Sequence, residues 1–152
     1  MTLDKFTIKA QEAVQAGVQA AQAAQQQSVE PIHLLKGILE KAQDITHFIF
    51  QKLGVNAQAV DMALHNELQH LPKVSGGQPY LSNDSVQVLN KAEELSQKMG
   101  DEFVSVEPIL LALMQGNHTA GRILKDAGCT EEGVRKAIES LRQGQQVKSQ
   151  SG

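Results

Sequence analysis

Ser28-Val-Glu-Pro31 returns letter for letter as Ser105-Val-Glu-Pro108, 77 residues later. Each copy stands before an apolar run: Ile32, Leu35, Ile38 and Leu39 after the first, Ile109–Met114 after the second. A proline fits the first turn of a helix, where its missing N–H breaks no bond. The stretch upstream of each copy reads as an amphipathic helix. The first, within 7–27, carries Ala10, Ala13, Val14, Gly17, Ala20, Ala21 and Ala24 on one helical face. Such small side chains admit a neighbouring helix at the short end of the usual spacing. The second follows Ser82-Asn83-Asp84, three good N-cap residues, and carries Val88, Leu89, Ala92, Leu95 and Met99. A displacement of 75 superimposes the two faces, with Ala13, Val14 and Gly17 on Val88, Leu89 and Ala92. Downstream, a short helix around Ile45–Leu53 is expected to stop at Gly54, a left-handed cap. A fourth helix from about Asn56 to Leu71 points Val60, Ala63, Leu64 and Leu68 inward. Gly54 returns as Gly128, and Val60, Ala63 and Leu64 as Val134, Ala137 and Ile138, 74 residues on. Self-similarity at a fixed spacing predicts an all-α fold of eight helices, formed by tandem duplication of a four-helix unit and arranged about a pseudo-twofold axis.

The boundaries follow. Residues 1–71 form the first repeat and 82–142 the second. Residues 72–81, containing Pro72-Lys-Val-Ser-Gly-Gly-Gln-Pro79, have linker composition. Residues 143–152 lack apolar periodicity and read as a flexible tail, the start of a linker to further modules. The chain has 152 residues, 41% of them hydrophobic, which suffices for a core without disulfides or metal. A formal charge of −3 argues against a nucleic-acid binder, since no basic excess exists to displace counterions. The longest apolar run, Ile109–Met114, is far short of the roughly 20 residues that span a bilayer. The N-terminus has no apolar signal region, and the single Cys129 excludes an intrachain disulfide framework; both point to the cytoplasm.

Catalytic chemistry finds little support. Gly121-Arg-Ile-Leu-Lys-Asp-Ala-Gly128 lacks the order of a P-loop. His33, His47, His65, His70 and His118 form no metal-ligand spacing and read as ordinary histidines. Cys129 reads as a small buried residue near the start of the last helix. The Ile109–Met114 helix is apolar all round; aligned on the repeated tetrapeptide, its Leu110 and Leu113 stand where the first copy has His33 and Lys36, so deep burial is expected. Ile8, Val18 and Val86 fall off the core stripes, Val86 by about 120°. They suggest an apolar groove between the leading helices of the two repeats. Thr7, Asp101 and Glu107 lie near helix entries, where capping and dipole compensation account for such residues.

Beyond the repeat itself, Leu3-Asp-Lys-Phe-Thr7, the Glu-Pro helix entry, Leu71-Pro-Lys-Val74 and Lys98-Met-Gly-Asp101 before Phe103 resemble the Clp N-terminal repeat domain at the front of the Clp ATPase chaperones, above all the ClpB-type disaggregases. The resemblance covers about residues 3–142. ClpC-like members carry Thr-Glu-His where this chain has Val29-Glu30-Pro31 and Val106-Glu107-Pro108, a departure that weakens any transfer of phosphoarginine binding. The resemblance implies a substrate-binding module on a hexameric ATP-driven ring that threads unfolded or aggregated proteins, in cooperation with an Hsp70-type chaperone system. No cofactor is expected in this chain; ATP and Mg are implied only for the full-length protein, with P-loops beyond residue 152. The resemblance also makes Thr7, Asp101 and Glu107 positions of functional interest. The expected contacts are Thr7, Ile8, Gln11, Val86, Asp101, Glu107 and Pro108. The alternative is a dock for folded adaptor proteins, as in ClpA- and ClpC-type unfoldases.

Overall fold

In chain order the elements are α1 (Ile8–Ala23), β1 (Ser28–Val29), α2 (Pro31–Lys41), α3 (Gln43–Leu53), α4 (Ala57–Gln69), β2 (Tyr80–Leu81), α5 (Asn83–Lys98), α6 (Val106–Gln115), α7 (Thr119–Asp126) and α8 (Glu131–Arg142). The computed structural model describes residues 2–151. Among them the fold is all-α, as expected: eight helices and one pair of two-residue strands.

Local chemistry sets the helix ends. The Thr7 hydroxyl caps α1 by accepting the Ala10 N–H at 3.2 Å, and Ser82 caps α5 by accepting the Ser85 N–H at 3.1 Å. Pro31 opens α2 and left-handed Gly54 closes α3, both as the sequence indicates. α1 stops at Ala23, short of the expected 27. Gln25 turns left-handed at φ 59°, and the Gln26 N–H closes back on the Ala21 carbonyl at 2.8 Å. α5 ends identically through Gly100 (φ 78°) and Asp101 N–H to Ser96 carbonyl at 3.0 Å.

The short strands fix how the halves meet. Val29 pairs with Leu81 in parallel, and Phe6 forms an isolated parallel bridge with Val104. Moving Phe6 and Val29 forward by 75 places them on Leu81 and Val104, so one pairing is the image of the other with the halves exchanged. The helix packing is exchanged too: α3 lies on α8 and α4 lies on α7. This corrects the register of the repeated tetrapeptide. The N-cap of α2 is Glu30 and that of α6 is Ser105, again 75 apart, so Pro31 is the first residue of its helix and Pro108 the third. His33 and Lys36 therefore match Pro108 and Leu111, not Leu110 and Leu113. Both prolines lie in the first turn, where backbone N–H groups have no intrahelical acceptor, so the same letters fit two registers.

At the centre α2 touches α6, with α1 packed on α2 and α5 on α6. Every residue of α6 from Val106 to Met114 is buried, as its all-round apolar sequence predicts. The small face of α1 allows close approach: a Cβ on Gly17 would come 2.6 Å from the His33 carbonyl oxygen. Ala13, Val14, Val88, Leu89 and Ala92 are buried as expected. Ala63, expected inward, is exposed; Val60 and Leu64 are the buried residues of α4, with Leu68 partly buried beside them. Val18 is half-buried against the core.

Neither connecting segment is a free linker. Tyr80 and Leu81 belong to the strand pair, and the Val74 N–H donates to the Gln25 carbonyl at 2.8 Å. Residues 143–151, expected as a flexible tail, double back. Gln143 and Gly144 are both left-handed (φ 51° and 83°), which reverses the chain after α8. Val147 is then buried, and its carbonyl accepts the Glu102 N–H at 2.7 Å.

Candidate binding cleft

Three helix ends converge on one guanidinium. The turn through Gly100 aims Asp101 inward from the end of α5. Ser105 stands at the N-cap position of α6, and Glu107, in the first turn of that helix, points the same way. Arg142 arrives as the last residue of α8. Its Nη1 donates to both Asp101 carboxylate oxygens at 2.8 and 2.7 Å, its Nη2 to Ser105 Oγ at 2.9 Å, and its Nε to Glu107 Oε1 at 3.2 Å. Side-chain exposure is 10% for Arg142, 0% for Asp101 and 9% for Glu107. Asp101 Oδ1 also accepts the Val147 N–H at 3.0 Å. Charge-assisted bonds of this kind are short and strong, and two carboxylates around one guanidinium form a rigid buried post. Above it lies a cleft of about 380 Å³ lined by Thr7, Lys9, Ser105, Glu107, Arg142, Val147 and Gln150, among others.

The structure brings some of the expected contacts together and separates others. Thr7 and Glu107, 100 positions apart, line this one cleft, and Asp101 lies behind it. Thr7, Asp101, Glu107 and Pro108 are buried. Thr7 is occupied as a cap, and its own N–H donates to the Val104 carbonyl at 2.9 Å. Gln11 is half-buried, its side-chain amide donating to the Phe6 carbonyl at 2.9 Å. Ile8 is 52% exposed and stands in the chain between two lining residues, Thr7 and Lys9; its N–H donates to the carbonyl of a third, Gln150, at 2.8 Å. Val86 is half-buried on α5. α1 packs mainly on α2 and α5 on α6, and Val86 is not among the residues that line the cleft described above. Sequence reasoning missed Arg142, a single cation at the boundary of the presumed tail, and Val147 within it. The only available signal was a basic residue in the last helical turn, which dipole compensation already explains.

Elsewhere polar groups serve the fold. His33 Nδ1 accepts the Glu30 N–H at 2.9 Å, so Nε2 carries the proton and donates to Gln26 Oε1 at 2.7 Å. Gln26 in turn donates to the Leu68 carbonyl at 2.8 Å. Burial lowers the His33 pKa to about 4, against a smaller opposing pull from Glu30. Burial raises the Cys129 thiol to about 11, which makes it inert at neutral pH. His118 caps α7, and burial lowers its pKa too, with Asp84 opposing. Among the described residues, no group of three His, Cys, Asp or Glu side chains is placed to hold a metal ion. The Gly121–Gly128 stretch is mostly α7 itself, not a loop at a helix entrance, so its glycines do not fit around a nucleotide phosphate. No helix among the described residues is long and apolar enough to cross a membrane.

Comparison with known proteins gives a consistent result. ClpB, a chaperone protein of Bacteroides thetaiotaomicron, is 52% identical over 151 residues, which are 99% of this chain and 18% of that protein. The Porphyromonas gingivalis chaperone protein ClpB is 43% identical over 151 residues, with the same coverages of 99% and 18%. The chain thus spans about 18% of the length of these relatives. In fold, it superposes on the Hsp104 N-terminal domain from Candida albicans with a TM-score of 0.82 at 22% identity, covering 97% of each chain. The N-terminal domain of the ClpV1 ATPase from E. coli EAEC gives 0.81 at 16% identity, covering 99% of this chain and 91% of that one. Residues 5–127 match the sequence pattern of the Clp repeat (R) N-terminal domain, and the chain belongs to that family.

Proposed function

We propose that this domain engages unfolded or aggregated polypeptide on behalf of a ClpB-type disaggregase, a hexameric ATP-driven ring that works in the cytoplasm with an Hsp70-type chaperone system. One observation carries the reading: Thr7 and Glu107 come together at a single cleft backed by Asp101, and the exposed Ile8 stands between its lining residues Thr7 and Lys9. The buried post of Asp101, Glu107 and Arg142 shapes the cleft, and the direct contacts are Ile8 and the exposed groups of the rim. Similarity to ClpB proteins over 99% of the chain supports the assignment to that class of machine. ATP and Mg belong to parts of the full-length protein outside this chain, and the domain itself is not an enzyme.

Binding of this kind is weak and tolerant, because an apolar contact with few directional partners accepts many segments. Six copies on a ring compensate by avidity. The exposed half of Ile8, on the order of 90 Å², is worth about 2 kcal/mol when covered, before the cost of ordering the client. The test is a titration of a fluorescent, reduced and carboxymethylated polypeptide with the wild-type domain, Ile8→Asp and Val86→Asp, at two salt concentrations. Ile8→Asp is expected to weaken binding about tenfold with the fold intact, Val86→Asp to leave it unchanged, and salt to matter little, since apolar contact is not screened. Undiminished binding by Ile8→Asp removes the cleft from consideration. Binding that disappears at moderate salt favours instead a polar adaptor dock.

A further inference from the structure

One wall of the cleft is itself a piece of polypeptide, the chain's own segment 145–151. Its hold is mainly through the backbone. At Val147, the carbonyl accepts the Glu102 N–H at 2.7 Å and the N–H donates to Asp101 Oδ1 at 3.0 Å, so both main-chain groups are satisfied as they would be beside a strand. Three residues on, the Gln150 carbonyl accepts the Ile8 N–H at 2.8 Å, and its side-chain amide donates to the Asp4 carbonyl at 2.8 Å. One side chain, Val147, is buried; Gln145, Gln146, Lys148, Ser149, Gln150 and Ser151 are exposed. Main-chain donors and acceptors do not read sequence, so the same grips fit any polypeptide that offers a small branched apolar residue followed by a polar stretch. The segment's own composition, Gln-, Ser- and Lys-rich with one valine, gives it little else to hold it in place.

Building on the function proposed above, we infer that segment 145–151 is a resident competitor: client polypeptide binds by displacing it and taking over the grips at Glu102, Asp101 and Ile8, with a valine- or isoleucine-sized side chain in the place of Val147. Asp101 then has a direct part in this site, as acceptor for the client's main chain, while Arg142 positions its carboxylate. The apparent affinity of the domain equals its intrinsic affinity scaled by the fraction of molecules in which the segment is released. Whatever pulls on this segment thereby raises the affinity of the cleft.

Two changes act in opposite directions. Val147→Asp removes the one buried side chain and releases the segment, leaving the helical core untouched. Ile8→Cys with Gln150→Cys, at the site of the 2.8 Å main-chain bond, forms a disulfide that locks the segment in place, and reduction reopens it in the same molecule. Affinity is read by anisotropy of the fluorescent carboxymethylated polypeptide. Val147→Asp is expected to bind at least threefold more tightly than wild type, and the oxidised double variant at least tenfold more weakly than its reduced form. In wild type, saturating polypeptide should speed hydrogen exchange at the Val147 amide, released from Asp101, while the Ile8 and Glu102 amides stay protected by the client. Equal affinity of oxidised and reduced forms overturns the competition and leaves the function proposed above standing. No binding by any form overturns both.

Discussion

Arg142 is the most informative residue to remove. Its guanidinium is the cationic partner of Asp101, whose side chain has no exposure, and of Glu107, which has almost none. Arg142→Met keeps the aliphatic stem and deletes the charge together with four hydrogen bonds. What remains is two carboxylates in a buried site, with the Val147 N–H still donating to one of them. Breaking a buried ion pair from one side costs about 3–5 kcal/mol, most of it the penalty of an uncompensated charge. For a domain of this size each kcal/mol shifts the midpoint by about 2–4 °C, so a drop on the order of 10 °C is expected. Urea unfolding followed by far-ultraviolet circular dichroism gives the free energy, and an unchanged slope indicates that the unfolding reaction is the same. The triple variant Asp101→Asn, Glu107→Gln, Arg142→Met should recover at least half of the loss, since no charge is left stranded. A single variant within 1 kcal/mol of wild type would refute the burial of the pair. A triple variant as unstable as the single would show that lost packing, not charge, accounts for the effect.

Three further outcomes follow from burial. His33 has a folded pKa of about 4 against 6.5 unfolded, so below pH 6.5 the unfolded state takes up a proton that the folded state refuses; stability is full above pH 6.5 and falls by about 3 kcal/mol by pH 4, and His33→Asn should flatten this part of a pH series of urea melts. Gly37→Ala drives a Cβ into the carbonyl oxygen of Ala13 on the facing helix backbone, which cannot yield; a loss of about 3 kcal/mol or more is expected by thermal melt, whereas Gly76→Ala, with open space around it, should cost far less. Cys129, buried and with its thiol pushed up to about 11, should react with a thiol-exchange reagent at pH 8 only through unfolded molecules, so at low reagent concentration the rate should rise with urea in step with the unfolded fraction.

Particular residues show how far the amino-acid sequence carries. Ala13, Val14 and Gly17 against Val88, Leu89 and Ala92 identify the helices and their buried faces, because helical periodicity distinguishes inside from outside. Pro31, Gly54 and Ser82 identify helix ends, because their backbone chemistry is local. Periodicity does not say which helix lies opposite, so the packing of α3 on α8 and of α4 on α7 is not legible from it. Identical letters misled at Pro108, because proline is tolerated throughout a helix's first turn and the core face, not the tetrapeptide, sets the register. Thr7, Asp101 and Glu107 stood out in sequence only through family resemblance. The residue that joins two of them, Arg142, is 41 and 35 positions away from them and bears no local mark of its role. Residues 143–151 look loose in sequence because a single valine makes no pattern, yet one buried side chain and a few main-chain bonds suffice to seat a short segment.

The exchanged packing of α3 on α8 and α4 on α7 gives the stretch between Leu71 and Ser82 a thermodynamic role. Each half completes its surface with a helix from the other, so half a chain would leave apolar faces of its third and fourth helices open to water. A tether of about ten residues converts their meeting from a bimolecular event into an intramolecular one, at an effective concentration in the millimolar range. The pairing therefore does not depend on how dilute the protein is. Cleaving the chain at exposed Gly76 or Gly77 would break no core contact, yet it would make the stability of the domain depend on protein concentration.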